Sequence, residues 1–332
     1  MKFTIKKIRF KDYKSFKGDY ISLKPEKFTL LIGRNNCGKS SIIDIFESIT
    51  SPSFFNKHKC DIYIDTYGTQ ELYDYINTNK DDLEGDNTVK LETSFSNQKY
   101  RFNSNIVLDN DMISFSTDIN RLDYFLENIP FRRLNADRDI VPEPYNSDYH
   151  LDENGSGACN LINQILTKEQ LPEKLIQIDL LEALNEVMYP DSKFDGITVQ
   201  KTAGSDNWEV YLYEGDDRYA LSKMGSGLKT IILVLLNLLI IPEINKYEQI
   251  HFFAFEELEN NLHPALQRRL FDYLFQYGKD HPNAYIFLTT HSHIAINTFA
   301  NKPDTQILHV KKENGFSTID TIDSFTSKTH VL

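Results

Sequence analysis

The chain has 332 residues and a formal net charge of −12, with 40% hydrophobic and 25% charged residues. These values exclude wholesale disorder and leave room for one large α/β domain with an insertion, or for two domains that share a core. The three cysteines, Cys37, Cys60 and Cys159, suit neither a disulfide framework nor a zinc site, which favours a reducing compartment.

The charge is unevenly distributed along the chain. Residues 1–40 contain eleven Lys or Arg and three acidic residues, which gives +8 and leaves −20 for the remainder. This segment permits an anionic partner such as nucleic acid, and a solvated strand face explains it equally well. No signal-peptide pattern follows the N-terminus, and the apolar stretch 228–241 falls short of a bilayer span. We therefore expect a cytoplasmic protein without membrane contact.

The first half of the chain begins with two predicted strands, residues 3–10 and 20–32, the second of which leads into a Gly-rich loop. Residues 40–50 carry apolar side chains at helical spacing, so that strand, loop and helix follow in order. Further strands are predicted near 88–95 and 112–116. Helical segments follow over 158–190, and residues 196–221 predict a meander of three short strands.

The last third alternates between helices and strands. The predicted elements are a helix over 228–240, a strand over 250–255, a helix over 264–277, a strand over 284–290, a helix over 293–299 and a hairpin around Asn314 and Gly315. This order predicts an α/β fold with a mostly parallel, helix-covered sheet. We assign 1–50 and 221–332 to the core and 51–220 to an insertion lobe of strands and helices.

The sequence GRNNCGKS at residues 33–40 matches the P-loop pattern, and it lies between an apolar strand and a helix as that motif requires. Lys39 is expected to reach the β and γ phosphates of ATP, and Ser40 to bind Mg²⁺. Cys37 is either a thiol activated by the loop N–H groups or a small packed residue. The predicted nucleotide contacts of this loop are Gly33, Arg34, Asn35, Asn36, Cys37, Gly38, Lys39, Ser40 and Ser41.

Two further strands end in residues that suit phosphate chemistry. Glu256 and Glu257 follow an apolar strand, where Glu256 is expected to hold Mg²⁺ and Glu257 to activate the attacking water. His291 follows the next apolar strand, within reach of the γ-phosphate, and His293 is a weaker candidate. The predicted catalytic set is Lys39, Glu256, Glu257 and His291, with Ser40 and Glu256 as the metal ligands.

A second anion site is predicted at the Gly-rich turn LSKMGSGLKT, residues 221–230, where an apolar helix begins. Together with IKKIRFKDYKSFKG, LLIGRNNCGKSS, FEELENNLHP and LTTHS, this segment resembles the ABC-type head domains of RecF, SMC and OLD family ATPases. The OLD-like branch is the most similar, since its acidic strand ends in a Glu pair before a Leu-His-Pro turn. The motifs cover residues 1–50 and 221–295.

The resemblance implies an ATP-dependent, head-to-tail dimer. In such a dimer Ser226 and Gly227 form the signature that touches the partner's γ-phosphate, with Ser222 as the other candidate. It also implies that residues 260–263 form a D-loop across the dimer and that His291 is the switch histidine. The segment FRRLNADRDIVPE of this chain resembles a block that lies near the nucleotide or partner surface in these ATPases. Arg132, Arg133 and Arg138 are therefore secondary candidates, with structural ion pairing as the alternative.

The resemblance further implies an ATP-hydrolysing switch that controls a separate effector protein, as OLD-like ATPases do in bacterial defence against phage. The stretch after His291 is too short for the TOPRIM nuclease domain of OLD proteins, and EGDD at residues 214–217 is interpreted as a hairpin turn. The alternative is a RecF-like DNA-binding repair ATPase, based on the basic N-terminal segment. An ABC transporter motor fits the N-terminal and acidic motifs less well.

Overall fold

The computed structural model describes residues 3–48, 61–68, 89–96, 99–107, 129–168, 171–247 and 250–322. Within these ranges the strands are β1 (Phe3–Lys11), β2 (Ile21–Leu23), β3 (Phe28–Ile32), β4 (Asp61–Gly68), β5 (Val89–Ser96), β6 (Lys99–Val107), β7 (Phe131–Leu134), β8 (Glu143–Pro144), β9 (Gly196–Lys201), β10 (Asn207–Glu214), β11 (Asp217–Ala220), β12 (His251–Glu256), β13 (Ala284–Thr289), β14 (Thr305–Glu313) and β15 (Phe316–Thr321).

The α-helices are α1 (Lys39–Ser48), α2 (Ala158–Thr167), α3 (Leu181–Met188), α4 (Ser226–Leu235), α5 (Ile241–Asn245), α6 (Pro264–Asp280) and α7 (His293–Phe299). A π-helical segment, Leu175–Leu180, precedes α3, and a second one, Leu236–Ile240, joins α4 to α5. A short 3₁₀ turn, Leu221–Lys223, leads from β11 toward α4.

A six-stranded sheet in the order β15-β14-β3-β13-β12-β7 forms the centre of the fold. Its strands are parallel except for β15, which returns antiparallel to β14. The β14–β15 turn consists of Asn314 and Gly315, both at positive φ, as a tight two-residue hairpin requires. The predicted mixed α/β fold and the C-terminal hairpin are therefore confirmed.

The central sheet has a core on each face because successive side chains of a strand point to opposite sides. On β12, Phe252 and Ala254 face the core shared with β1 and α1, whereas Phe253 and Phe255 face the core shared with α4 and α6. All six residues of β12 are buried, as expected for a parallel strand covered on both faces. This buried strand carries the acidic pair to the edge of the sheet.

Two smaller sheets flank the centre. One has the order β2-β1-β4-β6-β5 and the other joins β8, β9 and β11 to β10. The predicted meander over 196–221 is confirmed, as is the turn at residues 214–217, where Glu214 pairs with Asp217. The sheets cross the proposed division at residues 51 and 220, because β1 and β2 belong to the same sheet as β4–β6 and β7 joins the central sheet.

Some boundaries predicted from the sequence were wrong. The single strand over 20–32 is two strands, β2 and β3, in different sheets, and the break contains Pro25, which has no N–H for a ladder. Strands β4 and β6 were not predicted. The strand predicted near 112–116 lies outside the described residues.

The helix predicted over 228–240 is longer than expected and runs through Ser226–Asn245. In the described part of the chain, this is the one helix long and apolar enough to cross a bilayer, so the judgement that it was too short is corrected. It packs inside the protein, with 72% of its most apolar window buried. The interpretation as a buried core helix is therefore confirmed.

Candidate active site

The P-loop, residues 33–40, connects β3 to the first turn of α1. Gly33 has φ 141° and Gly38 has φ 113°, conformations that side chains disfavour. A Cβ at Gly33 would lie 2.1 Å from the carbonyl oxygen of Val310 on β14. The loop therefore passes so close to the neighbouring strand that only glycine fits at Gly33.

Lys39 is buried at the beginning of α1 and has three acceptors around its ammonium group. Its Nζ atom donates to the carbonyl oxygens of Gly33 at 2.9 Å and Arg34 at 3.1 Å. The third neighbour is Nε2 of His291 at 3.0 Å, which must act as the acceptor because an ammonium group has no lone pair. The P-loop lysine and the predicted switch histidine are thus in direct contact.

Glu256, the last residue of β12, connects the P-loop to β7. Its Oε2 atom accepts from the Ser40 hydroxyl at 2.6 Å, and its Oε1 atom accepts from Nε of Arg133 at 2.8 Å. Arg133 also donates to Asp44 at 2.8 Å and to Glu47 at 3.2 Å, both on α1. Burial opposes the charge of Arg133, but the carboxylates of Glu256 and Asp44 outweigh it and raise the Arg133 pKa.

Glu257 follows Glu256 in the left-handed region, with φ 46°. For a residue with a side chain this conformation costs about 1–2 kcal/mol. Its backbone N–H donates to the carbonyl oxygen of Thr289 at 2.9 Å, and its Oε2 atom accepts from Asn260 at 3.0 Å. Its Oε1 atom lies 3.8 Å from Nε2 of His291, which is beyond hydrogen-bond distance. The observed strain lies at the residue predicted to activate water.

The turn after Glu257 is tied to the segment that carries His291. One carboxylate oxygen of Glu259 accepts from the His291 N–H at 2.6 Å and from the Thr290 hydroxyl at 2.9 Å. Gln267 donates to the carbonyl oxygen of Leu262 at 3.0 Å and accepts from the Ser292 hydroxyl at 2.8 Å. Residues 260–263, the predicted D-loop, are therefore linked to the His291 segment by hydrogen bonds through Glu259 and Gln267.

The P-loop and the acidic pair line a pocket of about 210 Å³. Its lining residues are Asn35, Asn36, Gly38, Lys39, Ser40, Ser41, Glu256, Glu257 and Thr289. The structure thus brings together the P-loop and the acidic pair, and His291 contacts both Lys39 and, more loosely, Glu257. Arg34 is an exposed residue of the same loop.

Cys37 differs from the other loop residues because it is buried and absent from the pocket lining. Its carbonyl oxygen accepts from the Ser317 hydroxyl at 2.6 Å. A Cβ placed on Gly33 would lie 3.0 Å from the Cys37 sulfur, so the thiol fills space under the loop. The geometry therefore favours the interpretation of Cys37 as a small packed residue over that of an activated thiol.

Ser226 and Gly227 lie outside this pocket at the beginning of α4. Ser226 is exposed, and no side chain caps the helix at its N-cap residue, Gly225. Gly227 packs so closely on the predicted D-loop that an added Cβ would lie 2.8 Å from the Asn261 carbonyl oxygen. Ser222, the other candidate, donates its hydroxyl to Glu209 within the same chain. The geometry therefore favours Ser226 as the serine that faces outward.

The three arginines of the 131–143 segment have different surroundings. Arg133 reaches the site through Glu256, as described above. Arg132 donates instead to Asn237 at 3.0 Å and to the Leu151 carbonyl oxygen at 2.6 Å, away from the pocket, and burial lowers its pKa. Arg138 contacts the backbone of the acidic pair.

Thr289, Glu259 and Asp44 were not predicted as site residues, since no local pattern marks them.

The donors at the pocket fit a magnesium ion that shares its ligands with a nucleotide. In the parts of the chain that the structure describes, no group of three or more His, Cys, Asp or Glu side chains could hold a metal by itself. The Ser40 hydroxyl and the Glu256 carboxylate supply two hard oxygens 2.6 Å apart. Mg²⁺ prefers such a set, completed by phosphate and water.

Comparison with known proteins agrees with this geometry. Residues 28–297 match the family described as "AAA domain, putative AbiEii toxin, Type IV TA system", and the chain belongs to that family. The family and the P-loop identify an AAA-type P-loop ATPase, and its fold is that of SMC heads, as the sequence predicted. No curated protein matches the sequence.

Three solved structures show the same fold. An SMC head bound to the C-terminal winged-helix domain of ScpA is 14% identical, with a TM-score of 0.56, over 98% of this chain and 99% of the other. A Pyrococcus furiosus Smc head bound to the C-terminal domain of ScpA is 13% identical, with a TM-score of 0.53, over 97% and 96%. A Pyrococcus yayanosii Smc head is 11% identical, with a TM-score of 0.54, over 98% of each chain.

Proposed function

We propose that the chain binds ATP with Mg²⁺ and hydrolyses it between two copies arranged head to tail, and that closure of this dimer switches a separate effector protein. The observation that carries the proposal is that the predicted nucleotide contacts lie in two separate places on one chain, the P-loop pocket and the N-terminus of α4. Lys39, Ser40, Glu256 and Glu257 line one pocket and His291 contacts Lys39, whereas Ser226 lies at an exposed helix N-terminus outside the lining. A helix N-terminus binds anions, so a second copy can complete the pocket.

In this proposal each residue of the pocket has one task. The Lys39 ammonium exchanges its loop carbonyl partners for phosphate oxygens, and the loop N–H groups and the start of α1 add positive potential. The Ser40 and Glu256 oxygens hold Mg²⁺, which neutralises charge on the phosphates when bound. Glu257 orients the attacking water and accepts its proton, and His291 contacts the γ-phosphate from the side of Lys39.

Mixing two inactive variants tests the head-to-tail arrangement. Lys39→Ala removes the lysine with which a protomer binds the phosphates. Ser226→Arg places a large side chain at the exposed N-terminus of α4 and blocks it. Each variant alone is expected to lack ATP hydrolysis, because every composite site then contains one defect. A mixed dimer contains one site with an intact Lys39 and an intact Ser226, so the mixture should regain hydrolysis.

The control for the mixing experiment is Lys17→Ala mixed with Ser226→Arg. Lys17 is exposed and donates to the Asp12 carbonyl oxygen, so Lys17→Ala alone should behave as wild type. A Lys39→Ala and Ser226→Arg mixture that stays inactive, although sedimentation shows mixed dimers, would contradict the arrangement. A wild-type protein without ATP hydrolysis would contradict the proposal as a whole.

The effector part of the proposal is supported by analogy with the relatives. Two of the similar SMC heads are described as bound to ScpA, so a head of this fold can carry a protein partner. Glu257→Gln should bind ATP but cleave it far more slowly than the wild type, which holds the dimer closed. A protein retained by Glu257→Gln with ATP, and not by Lys39→Ala, would behave as an effector that reads the closed state. Equal retention by both variants would argue against this switch.

The RecF-like alternative depends on the basic residues of the N-terminal segment. Of these, Lys14 is engaged with Asp44 and Lys17 with the Asp12 backbone. DNA binding that weakens steeply with salt, and that disappears when Lys6, Lys7, Arg9 and Lys11 are neutralised, would favour the alternative.

A further inference from the structure

Arg138 connects three parts of the chain through one guanidinium group. Its Nη1 atom donates to the carbonyl oxygens of Asn135 and Glu256, each at 2.6 Å, and its Nη2 atom donates to the Glu257 carbonyl oxygen at 3.1 Å. Its Nε atom donates to the Thr230 hydroxyl on α4 at 3.1 Å. The same side chain therefore holds the backbone of both glutamates and the helix that begins at Ser226.

The guanidinium keeps its charge in this position. Burial lowers the pKa of Arg138 to about 10, and the nearby charges of Glu259, Glu257 and Glu256 oppose the shift. The group is thus protonated at neutral pH, and its four acceptors named above are uncharged oxygens of the chain. Hydrogen bonds from a charged donor are stronger than those between neutral groups.

The contact with Glu257 explains how its unusual backbone is maintained. At φ 46° this residue relaxes to an extended or right-handed conformation unless its neighbours hold it. Arg138 holds its carbonyl oxygen, while Thr289 accepts from its N–H. The two anchors fix the peptide groups on either side of the Glu257 Cα atom and thereby the direction of its Cα–Cβ bond, while Asn260 donates to the carboxylate at the end of the side chain.

We propose that Arg138 is a positioning residue for ATP hydrolysis, which sets the Glu257 carboxylate and ties it to the helix carrying Ser226. This inference rests on the proposed function. In a head-to-tail dimer α4 of a protomer meets the nucleotide held by the other protomer, so docking of that helix is transmitted through Thr230 and Arg138 to the protomer's own Glu257. Closure at one nucleotide then accelerates cleavage at the other without being required for it, so the single intact site of the mixed dimer should turn over more slowly than a wild-type site.

The test compares Arg138→Lys with Asp139→Asn. A lysine keeps the charge but cannot donate hydrogen bonds to all four acceptors, because they are arranged around a planar guanidinium group. The kcat for ATP hydrolysis should fall about tenfold to a hundredfold, with KM near the wild-type value, because ATP contacts are untouched. Asp139 lies on the same loop and pairs with Lys229 on α4 at 2.7 Å, away from the glutamates. Asp139→Asn should therefore keep the wild-type kcat.

Combining Arg138→Lys with Glu257→Gln separates positioning from general support of the fold. If Arg138 acts through Glu257, the double variant hydrolyses ATP no more slowly than Glu257→Gln alone, and Arg138→Lys prolongs the ATP-bound dimer as Glu257→Gln does. An additional loss in the double variant would overturn the proposal, as would a wild-type kcat in folded Arg138→Lys protein.

Thr230→Val provides a second route if Arg138→Lys does not fold. It removes only the α4 contact of Arg138 and keeps the shape of the side chain. The expected result is a lower kcat with unchanged ATP-dependent dimer formation, and an unchanged kcat would overturn the coupling. If wild-type protein fails to hydrolyse ATP, the proposed function fails. If it hydrolyses ATP but is indifferent to both substitutions, only the role of Arg138 fails.

Discussion

The P-loop pocket differs from the exposed N-terminus of α4 at Gly225 and Ser226, which we call the corner. The difference lies in how many polar groups of each region have hydrogen-bond partners within one chain. In the pocket, Lys39, Ser40 and Glu256 each contact another site residue at 3.0 Å or less. At the corner, α4 begins at an exposed Ser226 without a side-chain cap, although the first N–H groups of a helix need acceptors. The pocket is preorganised in one copy, whereas the corner is ready to accept an anion from outside.

This difference has a consequence for the order of events. One copy already presents Lys39 and the N-terminus of α1 in the same pocket, so a single copy is expected to bind ATP. In the proposed dimer, the corner gains its acceptor only when another copy brings a nucleotide to it. Binding should therefore precede dimerisation, and dimerisation should precede hydrolysis.

The largest effect is expected from Lys39→Ala, which breaks the pocket without touching the corner. Removing a charged donor to phosphate should weaken ATP binding about a hundredfold or more, measured by titration calorimetry. Lys17→Ala serves as the control, since its partner is the Asp12 backbone. Near-normal affinity in folded Lys39→Ala protein would show that the pocket does not hold the phosphates.

Two glycines allow the regions to be compared by stability. In Gly33→Ala the new Cβ meets the Val310 carbonyl oxygen at 2.1 Å, and φ is 141°, so the free energy of unfolding should fall by about 3 kcal/mol or more. In Gly227→Ala the contact with the Asn261 carbonyl oxygen is longer, at 2.8 Å, so a smaller shift of the neighbouring turn relieves it and the free energy of unfolding should fall by about 1–2 kcal/mol. Thermal or denaturant unfolding measures both.

Equal destabilisation by the two substitutions would contradict the view that the pocket is the more tightly built region. A stable Gly33→Ala protein would show that the P-loop can move away from β14. Gly227→Ala should nonetheless slow hydrolysis, because its methyl group displaces the turn at residues 260–263, which is tied to the His291 segment through Glu259 and Gln267.

The pocket was predictable from the sequence because its residues follow local patterns. Lys39 and Ser40 belong to a contiguous loop, and Glu256, Glu257 and His291 end apolar strands whose carboxyl ends meet at one edge of a parallel sheet. The contacts that organise these residues were not predictable. Their partners come from distant segments, and no spacing in the sequence relates them.

Strand β7 shows this limit most clearly. Four residues with two central arginines carry no strand signal, yet Arg133 pairs with Ala254 in the central sheet and places its guanidinium on Glu256. Strand β4 was missed for a related reason, because its pairing with β1 and β6 depends on long-range contacts rather than on local alternation.

The smallest effects are expected from the two serines of the corner, and they decide which one faces the nucleotide. Ser222 donates to Glu209 within its own chain, so Ser222→Ala should lower the free energy of unfolding by about 1 kcal/mol and leave the turnover rate unchanged. Ser226 is exposed, so Ser226→Ala should leave stability unchanged and lower ATP turnover by about tenfold at most. Denaturant unfolding and steady-state hydrolysis on both variants measure these effects, and a reversed pattern would move the signature role to Ser222.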